Sequence, residues 1–224
     1  MTSATEPLSI DDDPTMPRHR GLLIIFEGLD FSGKTTQSRT LTEQLVALGY
    51  NATRVSFPDY ETPTGRLLRD YLRGDVNLEE HAVHLLFSAN RWEKIDQIEA
   101  LIRAGTTVVC DRYSYSGIAY TVAKGVSFEW AQHADEDLLV PDIQFYLDIS
   151  PEEAAERLPE GRAPFGEDDR HEREDFLEKV RDAYLGILVN EEEWTIITAT
   201  EPREEIADRT LRVVQQKLDE MKVH

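Results

Sequence analysis

The chain has 224 residues, 40% of them hydrophobic, which is enough to bury one substantial core, and it carries a formal net charge of −20. That charge repels a nucleic-acid backbone and excludes a polynucleotide partner unless basic residues cluster locally. No apolar run approaches the roughly 20 residues that cross a bilayer, and the lone Cys110 cannot form an internal disulfide, so a soluble protein of the reducing cytoplasm is expected, with no membrane partner.

The first 20 residues, MTSATEPLSIDDDPTMPRHR, have too few apolar side chains to pack or to form a signal peptide. They read as a disordered polar tail, with Met16 a second candidate start, ahead of one domain over residues 21–224. Strands are expected at 22–27 (LLIIFE), 51–57, 106–111, 143–149 and 194–198. Helical periodicity falls between them, at 34–48, 64–73, 79–103, 113–136 with a break near Gly125, 151–158, 172–190 and 203–220. This alternation predicts an α/β fold, a five-stranded parallel sheet with helices on both faces. The stretch LPEGRAPFGEDD (158–169) puts Pro, Gly and charge into a helical region, and reads as a mobile flap of about residues 158–171 rather than a linker.

Behind the first strand stands GLDFSGKTT, comprising Gly28, Leu29, Asp30, Phe31, Ser32, Gly33, Lys34, Thr35 and Thr36. Gly28, Gly33, Lys34 and Thr35 match G-x-x-x-x-G-K-[ST], in the strand-then-helix context that the mechanism requires. Glycines allow backbone N–H groups to curl round phosphate oxygens, and the following helix adds its partial positive N-terminus. Lys34 then reaches the outer phosphates, and the Thr35 hydroxyl is a ligand for Mg²⁺. A P-loop NTPase fold follows from this placement.

A phosphate loop alone leaves kinase, switch GTPase and motor ATPase open. The guanine-reading N-K-x-D of a GTPase is missing from the sequence. Instead VVCDRYSYSG puts Asp111 and Arg112 at the carboxyl end of a strand, where open α/β sheets bind ligands. Asp111 can hold a metal-bound water, and Arg112 can grip a second phosphate with two parallel bonds. In HLLFSANRWE, Phe87 and Arg91 lie four apart on one helix face, so an aromatic plate and a planar donor fork point the same way, one to stack on a base and one to read its edge.

With these motifs in place the chain resembles the thymidylate (dTMP) kinases, in the form typical of eukaryotes. EGLDFSGKTTQS, FPDYETPTG, HLLFSANRWE, DRYSYSGIAYTVAKG and PDIQFYLDIS stand in the family's order and spacing, from about Gly21 to near the C-terminus. The resemblance implies ATP at the phosphate loop and dTMP in the adjoining cleft as small-molecule substrates, with Phe87 stacked on thymine and Arg91 on its edge oxygen. It also implies that Arg112 holds the dTMP phosphate, Asp30 orients the acceptor, Tyr120 lies against the sugar, and Phe57 and Pro58 wall the base pocket. Ser116 and Gly117 belong to the same substrate-side set. A homodimer paired through helices, and adenine contacts from TATEPRE, are further implications.

The chain departs from the pattern twice. Phe31 stands where eukaryotic members carry a loop arginine, a catalytic cation, and Tyr60 stands where they carry an arginine that grips the acceptor phosphate. Bacterial-type relatives lack the loop arginine and draw the charge from the flap, which here offers Arg162, Arg170 and Arg173, with Arg170 the expected catalytic one. Two other readings stay open: a deoxynucleoside kinase using Asp59 as base for a 5′-hydroxyl, and a catalytically silent nucleotide-binding protein that has lost two arginines.

Overall fold

In a computed structural model, which describes residues 20–157, 170–189 and 194–222, the five expected strands form one parallel sheet in the order β2-β3-β1-β4-β5. They are β1 (Leu23–Glu27), β2 (Ala52–Ser56), β3 (Thr107–Asp111), β4 (Ile143–Asp148) and β5 (Trp194–Thr198). Eight helices are described: α1 (Lys34–Ala47), α2 (Pro63–Leu72), α3 (Glu80–Arg103), α4 (Ser114–Ala123), α5 (Phe128–His133), α6 (Pro151–Glu156), α7 (Arg170–Val189) and α8 (Arg203–Lys222). Successive side chains of a strand point to opposite faces. Accordingly, Leu22, Ile24 and Phe26 enter one core with Leu41 of α1, Ile118 of α4, Val180 of α7 and Val214 of α8. Leu23 and Ile25 enter the other, with Ile98 and Ile102 of α3. β1, buried along its whole length, is the axis of the molecule.

Local chemistry sets the helix boundaries. The expected helix over 113–136 divides into α4 and α5 at Gly125, whose φ of +93° is left-handed, and Ser127 then caps α5 by accepting from Trp130 N. Ser150, Pro151 and Glu153 start α6 with a capping box. Thr62 caps α2 ahead of Pro63, and Gly65 is obligatory there because a Cβ would lie 1.8 Å from Asp59 O. Arg20, which the composition groups with the tail, is fastened to the domain: its guanidinium pairs with Asp142, whose Oδ2 also accepts from Leu23 N at 2.8 Å. The remaining tail residues and the flap lie outside the described residues, Arg162 among them; for Arg170 and Arg173 only the helical backbone is described. No helix is long and apolar enough to cross a membrane among the described residues.

Candidate active site

The carboxyl ends of β1 and β3 bring the sequence motifs together. The loop after β1 turns on Gly28, at φ +136°, where a Cβ would lie 2.5 Å from Leu147 O, so no side chain fits. Gly33, at φ +100°, ends the loop as the N-cap of α1. Lys34 is buried and its ammonium folds back on the loop, donating to Gly28 O at 3.0 Å and Leu29 O at 2.5 Å. Burial, seconded by the Arg112 charge and opposed by Asp30 and Asp111, pushes its pKa down to about 7. Thr35 and Thr36 open α1 and are exposed. The Thr35 hydroxyl donates to Asp111 Oδ2 at 2.6 Å, so the two expected metal-side oxygens meet.

Arg112 leaves β3 in a left-handed conformation, φ 70°, which aims its guanidinium back at the loop. It forms an ion pair with Asp30, donates to Ser116 Oγ at 3.0 Å, and stacks over the Tyr120 ring at 5.5 Å. The Tyr120 hydroxyl donates to the other Asp30 oxygen at 3.0 Å. Burial alone would raise the Asp30 pKa, but the charges of Arg112 and Lys34 and the hydrogen bonds from Tyr120 and Arg112 outweigh it, so the carboxyl lies below its ordinary range. Asp30, Arg112, Ser116 and Tyr120 thus form one cluster against the phosphate loop.

The residues expected on the base side lie on α3, on α4 and after β2. Phe87 is half-buried, and Arg91, one turn on, is buried in an ion pair with Asp135. Gly117 lies close against that guanidinium: a Cβ there would stand 2.8 Å from Arg91 Nη2. Phe57 is buried against Tyr113, with ring centroids 6.1 Å apart, and the Phe57–Pro58 peptide is cis. Asn90 ties the loop that follows to α3, accepting from Asp59 N at 2.7 Å and donating to Asp59 O at 3.0 Å. The Asp59 carboxylate itself pairs with Lys94 at 2.8 Å. Against the raising effect of burial, the hydrogen bonds from Lys94 and from Glu61 N hold its pKa below the ordinary value, which makes it a poor base.

Several residues that serve this site carry no motif. Glu27, buried at the end of β1, accepts from Tyr113 N at 2.8 Å, Ser116 N at 3.1 Å and Tyr184 OH at 2.9 Å, and also from Ser116 Oγ. It anchors the start of α4 and, through Ser116, steadies Arg112. Arg54 on β2 reaches Asp111 Oδ2 at 2.5 Å and Ser38 Oγ at 2.8 Å, and adds a cation beside the Thr35–Asp111 pair. Arg157, just past α6, donates to Phe31 O at 3.3 Å and Ala199 O at 2.9 Å, joining the phosphate loop to the loop after β5. A buried carboxylate inside an otherwise apolar strand, as in FEG, is the one such signal the sequence offered.

A lysine-bearing phosphate loop and an arginine–carboxylate cluster, meeting over Gly28 at the carboxyl edge of a parallel sheet, are what a phosphotransferase of the P-loop class needs to bring two phosphate groups together. Comparison with known proteins narrows that class. The Thymidylate kinase family model matches residues 26–210. The chain is 45% identical over 201 residues to a thymidylate kinase of Arabidopsis thaliana, covering 90% of this chain and 73% of that one. It is 37% identical over 203 residues to the thymidylate kinase of Homo sapiens, with 90% and 92% covered. A solved structure of thymidylate kinase from Candida albicans superposes with a TM-score of 0.75 at 33% identity, covering 88% of this chain and 92% of that one. The chain belongs to the thymidylate kinase family, the ATP-using phosphotransferases that convert dTMP to dTDP.

Proposed function

We propose that this cleft transfers the γ-phosphoryl group of ATP to dTMP with the residues placed as follows. Gly28 to Thr36 hold the donor phosphates through backbone N–H groups, and Lys34 swings from the loop carbonyls to the outer phosphates. Arg112 grips the acceptor phosphate. Asp30 fixes the direction of that guanidinium and, together with Tyr120, lines the sugar side beside Ser116. Phe87 stacks on thymine, Arg91, for whose guanidinium Gly117 leaves room, donates to its edge oxygen, and Phe57 and Pro58 wall the pocket. The observation that carries this reading is the Asp30–Arg112–Tyr120 cluster set directly against the Lys34 loop.

A dTMP phosphate oxygen is already an anion near neutral pH, so the attack needs positioning and charge stabilisation rather than a general base. An Asp30 carboxyl held below its ordinary pKa fits that division of labour, since it stays charged and orients Arg112 instead of taking a proton. Asp59, occupied by Lys94, does not fit the base of a nucleoside kinase. The Thr35 hydroxyl and the Asp111 carboxylate are hard oxygen donors 2.6 Å apart, and they suit Mg²⁺, which takes few protein ligands and completes its shell with phosphate and water. When bound, Mg²⁺ neutralises charge on the donor phosphates. Arg54 keeps Asp111 oriented beside it.

Phe31 supplies no cation, and Arg170, the first residue of α7, takes that role in this reading; Arg162 and Arg173 are the alternatives. We also place the protein in the cytoplasm as a homodimer. The buried free thiol of Cys110 and the exposed Leu67, Leu85 and Trp92 on the neighbouring helices α2 and α3 support this, and a chain that sediments as a monomer at every concentration would refute the pairing.

The base pocket is the most direct test. Phe87→Ala is expected to weaken dTMP binding by about 1–3 kcal/mol, the range of base–aromatic stacking, with little change for ATP. Calorimetric titration with each nucleotide decides it. Equal losses for both ligands would make Phe87 a packing residue and remove the pocket assignment.

A further inference from the structure

We propose that Asp135 is a positioning residue for Arg91, and that its carboxylate fixes the guanidinium as a donor fork selective for a pyrimidine bearing a 4-oxygen over one bearing a 4-amino group. The proposal rests on the reading of Arg91 as the base-edge donor and adds the residue that makes that reading specific.

Three side chains of α3 spaced by four, and therefore on one face, hold the segment that carries Asp135. Burial and the nearby Arg91 charge lower the His84 pKa, and its Nε2–H donates to Ala131 O at 2.8 Å. Ser88 Oγ lies 2.9 Å from Ala134 O and 2.7 Å from Asp135 Oδ1. Trp92 Nε1 donates to Ala134 O at 3.1 Å. The chain just past α5 is thus stapled to the helix that bears Phe87 and Arg91, and the staple delivers Asp135 Oδ2 to Arg91 Nη2, with each side chain only 2% exposed.

A pair buried to that degree is weak support for stability, since removing two charges from water costs about what their attraction returns. Nor does it satisfy Arg91. The Nε of Arg91 is buried without a hydrogen-bond partner, whereas an arginine kept only to brace a fold is expected to use its donors within the protein. Gly117 of α4 leaves the guanidinium the space a side chain would take, since a Cβ there would stand 2.8 Å from Nη2 and 3.1 Å from Nη1. The fork is held from Asp135 and flanked by α4, with donor capacity left over. A guanidinium so held has nothing with which to accept a hydrogen bond. It meets a 4-oxo edge with a donor and leaves a 4-amino edge with donor facing donor, the arrangement that a built polar site rejects most strongly.

The test is steady-state kinetics with dTMP and dCMP at saturating ATP, on wild type, Asp135→Asn, Arg91→Met, the double variant and Ser88→Ala. Arg91→Met should collapse the dTMP:dCMP ratio of kcat/KM. Asp135→Asn should raise the KM for dTMP about tenfold or more, lower the same ratio, and leave the KM for ATP and kcat near wild type. The double variant should be no worse than Arg91→Met, because both act through one contact. Ser88→Ala should shift the ratio less, in the same direction, and it decides the matter if Asp135→Asn does not fold. If Asp135→Asn lowers thermal stability and ATP affinity but spares the ratio, or if its effect adds in full to that of Arg91→Met, Asp135 is structural and the proposal is overturned. A ratio unchanged in Arg91→Met would overturn the base-edge reading itself, and the positioning role with it.

Discussion

Lys34→Ala is expected to lower kcat by about 10²–10³-fold while the protein keeps its fold, the scale on which preorganised charge stabilisation is lost when one donor is removed. Among the described residues the lysine ammonium hydrogen-bonds to its own loop, through Gly28 O, Leu29 O and Ser32 Oγ, so the bonds it would lose are local. Circular dichroism alongside the rate measurement separates the two effects, and near-normal turnover would remove the phosphate-loop assignment. A second readout comes from its pKa. Because burial pushes Lys34 down to about 7, it is partly neutral above that pH before nucleotide arrives. Donor phosphates favour the ammonium and raise its pKa, so ATP binding at about pH 8 should take up part of a proton, fading as pH falls below about 6, where the lysine is already charged. The dependence of the calorimetric enthalpy on buffer ionisation measures this, and Lys34→Ala should abolish it. Folding carries the opposite proton sign, because burying Lys34 releases a proton where nucleotide binding takes one up. Between pH 7 and the ordinary lysine value of 10.5 the unfolded chain binds more protons at this site, so the cost of burying Lys34 shrinks as pH rises through that window.

Arg170→Ala should cut turnover by about 10²-fold or more, and much more than it raises the KM for ATP, as expected of an interaction made mainly in the transition state. The reason lies in the phosphate loop: Phe31 adopts the left-handed φ of 64° there but cannot stabilise charge on a transferring phosphoryl group. Arg170 begins α7, which is joined to the sheet further along by Tyr184 on Glu27 and by Arg181 on Asp148. Replacing Phe31 with arginine in the Arg170→Ala background should restore part of the rate. If single alanines at Arg162, Arg170 and Arg173 all leave turnover intact, or the restored arginine helps nothing, the cation comes from elsewhere, and Arg157, already on the Phe31 carbonyl, is the next to test.

The sheet was legible because a strand buried on both faces must be apolar throughout, as β1 and β3 are. Even the half-buried edge strand β2 showed itself through its β-branched residues. The phosphate loop was legible for another reason: its function is carried by neighbours in sequence, and glycine is required at Gly28 by backbone clash alone. Residues that act through long-range pairing left almost no trace. Arg91 could be read as a donor fork from its helix, but its partner lies 44 residues away on a segment whose only visible sign is the break at Gly125. Glu27 is marked in sequence only by closing an apolar strand, and Arg54 and Asp135 look like ordinary charges of an acidic protein. Burial and partners distinguish them, and both are properties of the fold. Asp59 shows the converse, since its position after the second strand suggested a base, and the structure gives its carboxylate to Lys94.

Among the described residues, the two non-glycine residues with left-handed backbone, Phe31 and Arg112, both stand at the proposed reaction centre. Conformations of this kind cost on the order of 1–3 kcal/mol each and persist where surrounding bonds over-determine them, as the bond from Arg112 N to Phe26 O, 3.0 Å, and the Glu27 anchor on the next residue do here. Glycine at Arg112 would relax that torsion, but it would delete the guanidinium and leave the Asp30 carboxylate without its ion-pair partner. A redesign that scores positions by backbone comfort alone would therefore flag Arg112 as a defect, and would remove with it both the proposed phosphate grip and the partner of Asp30.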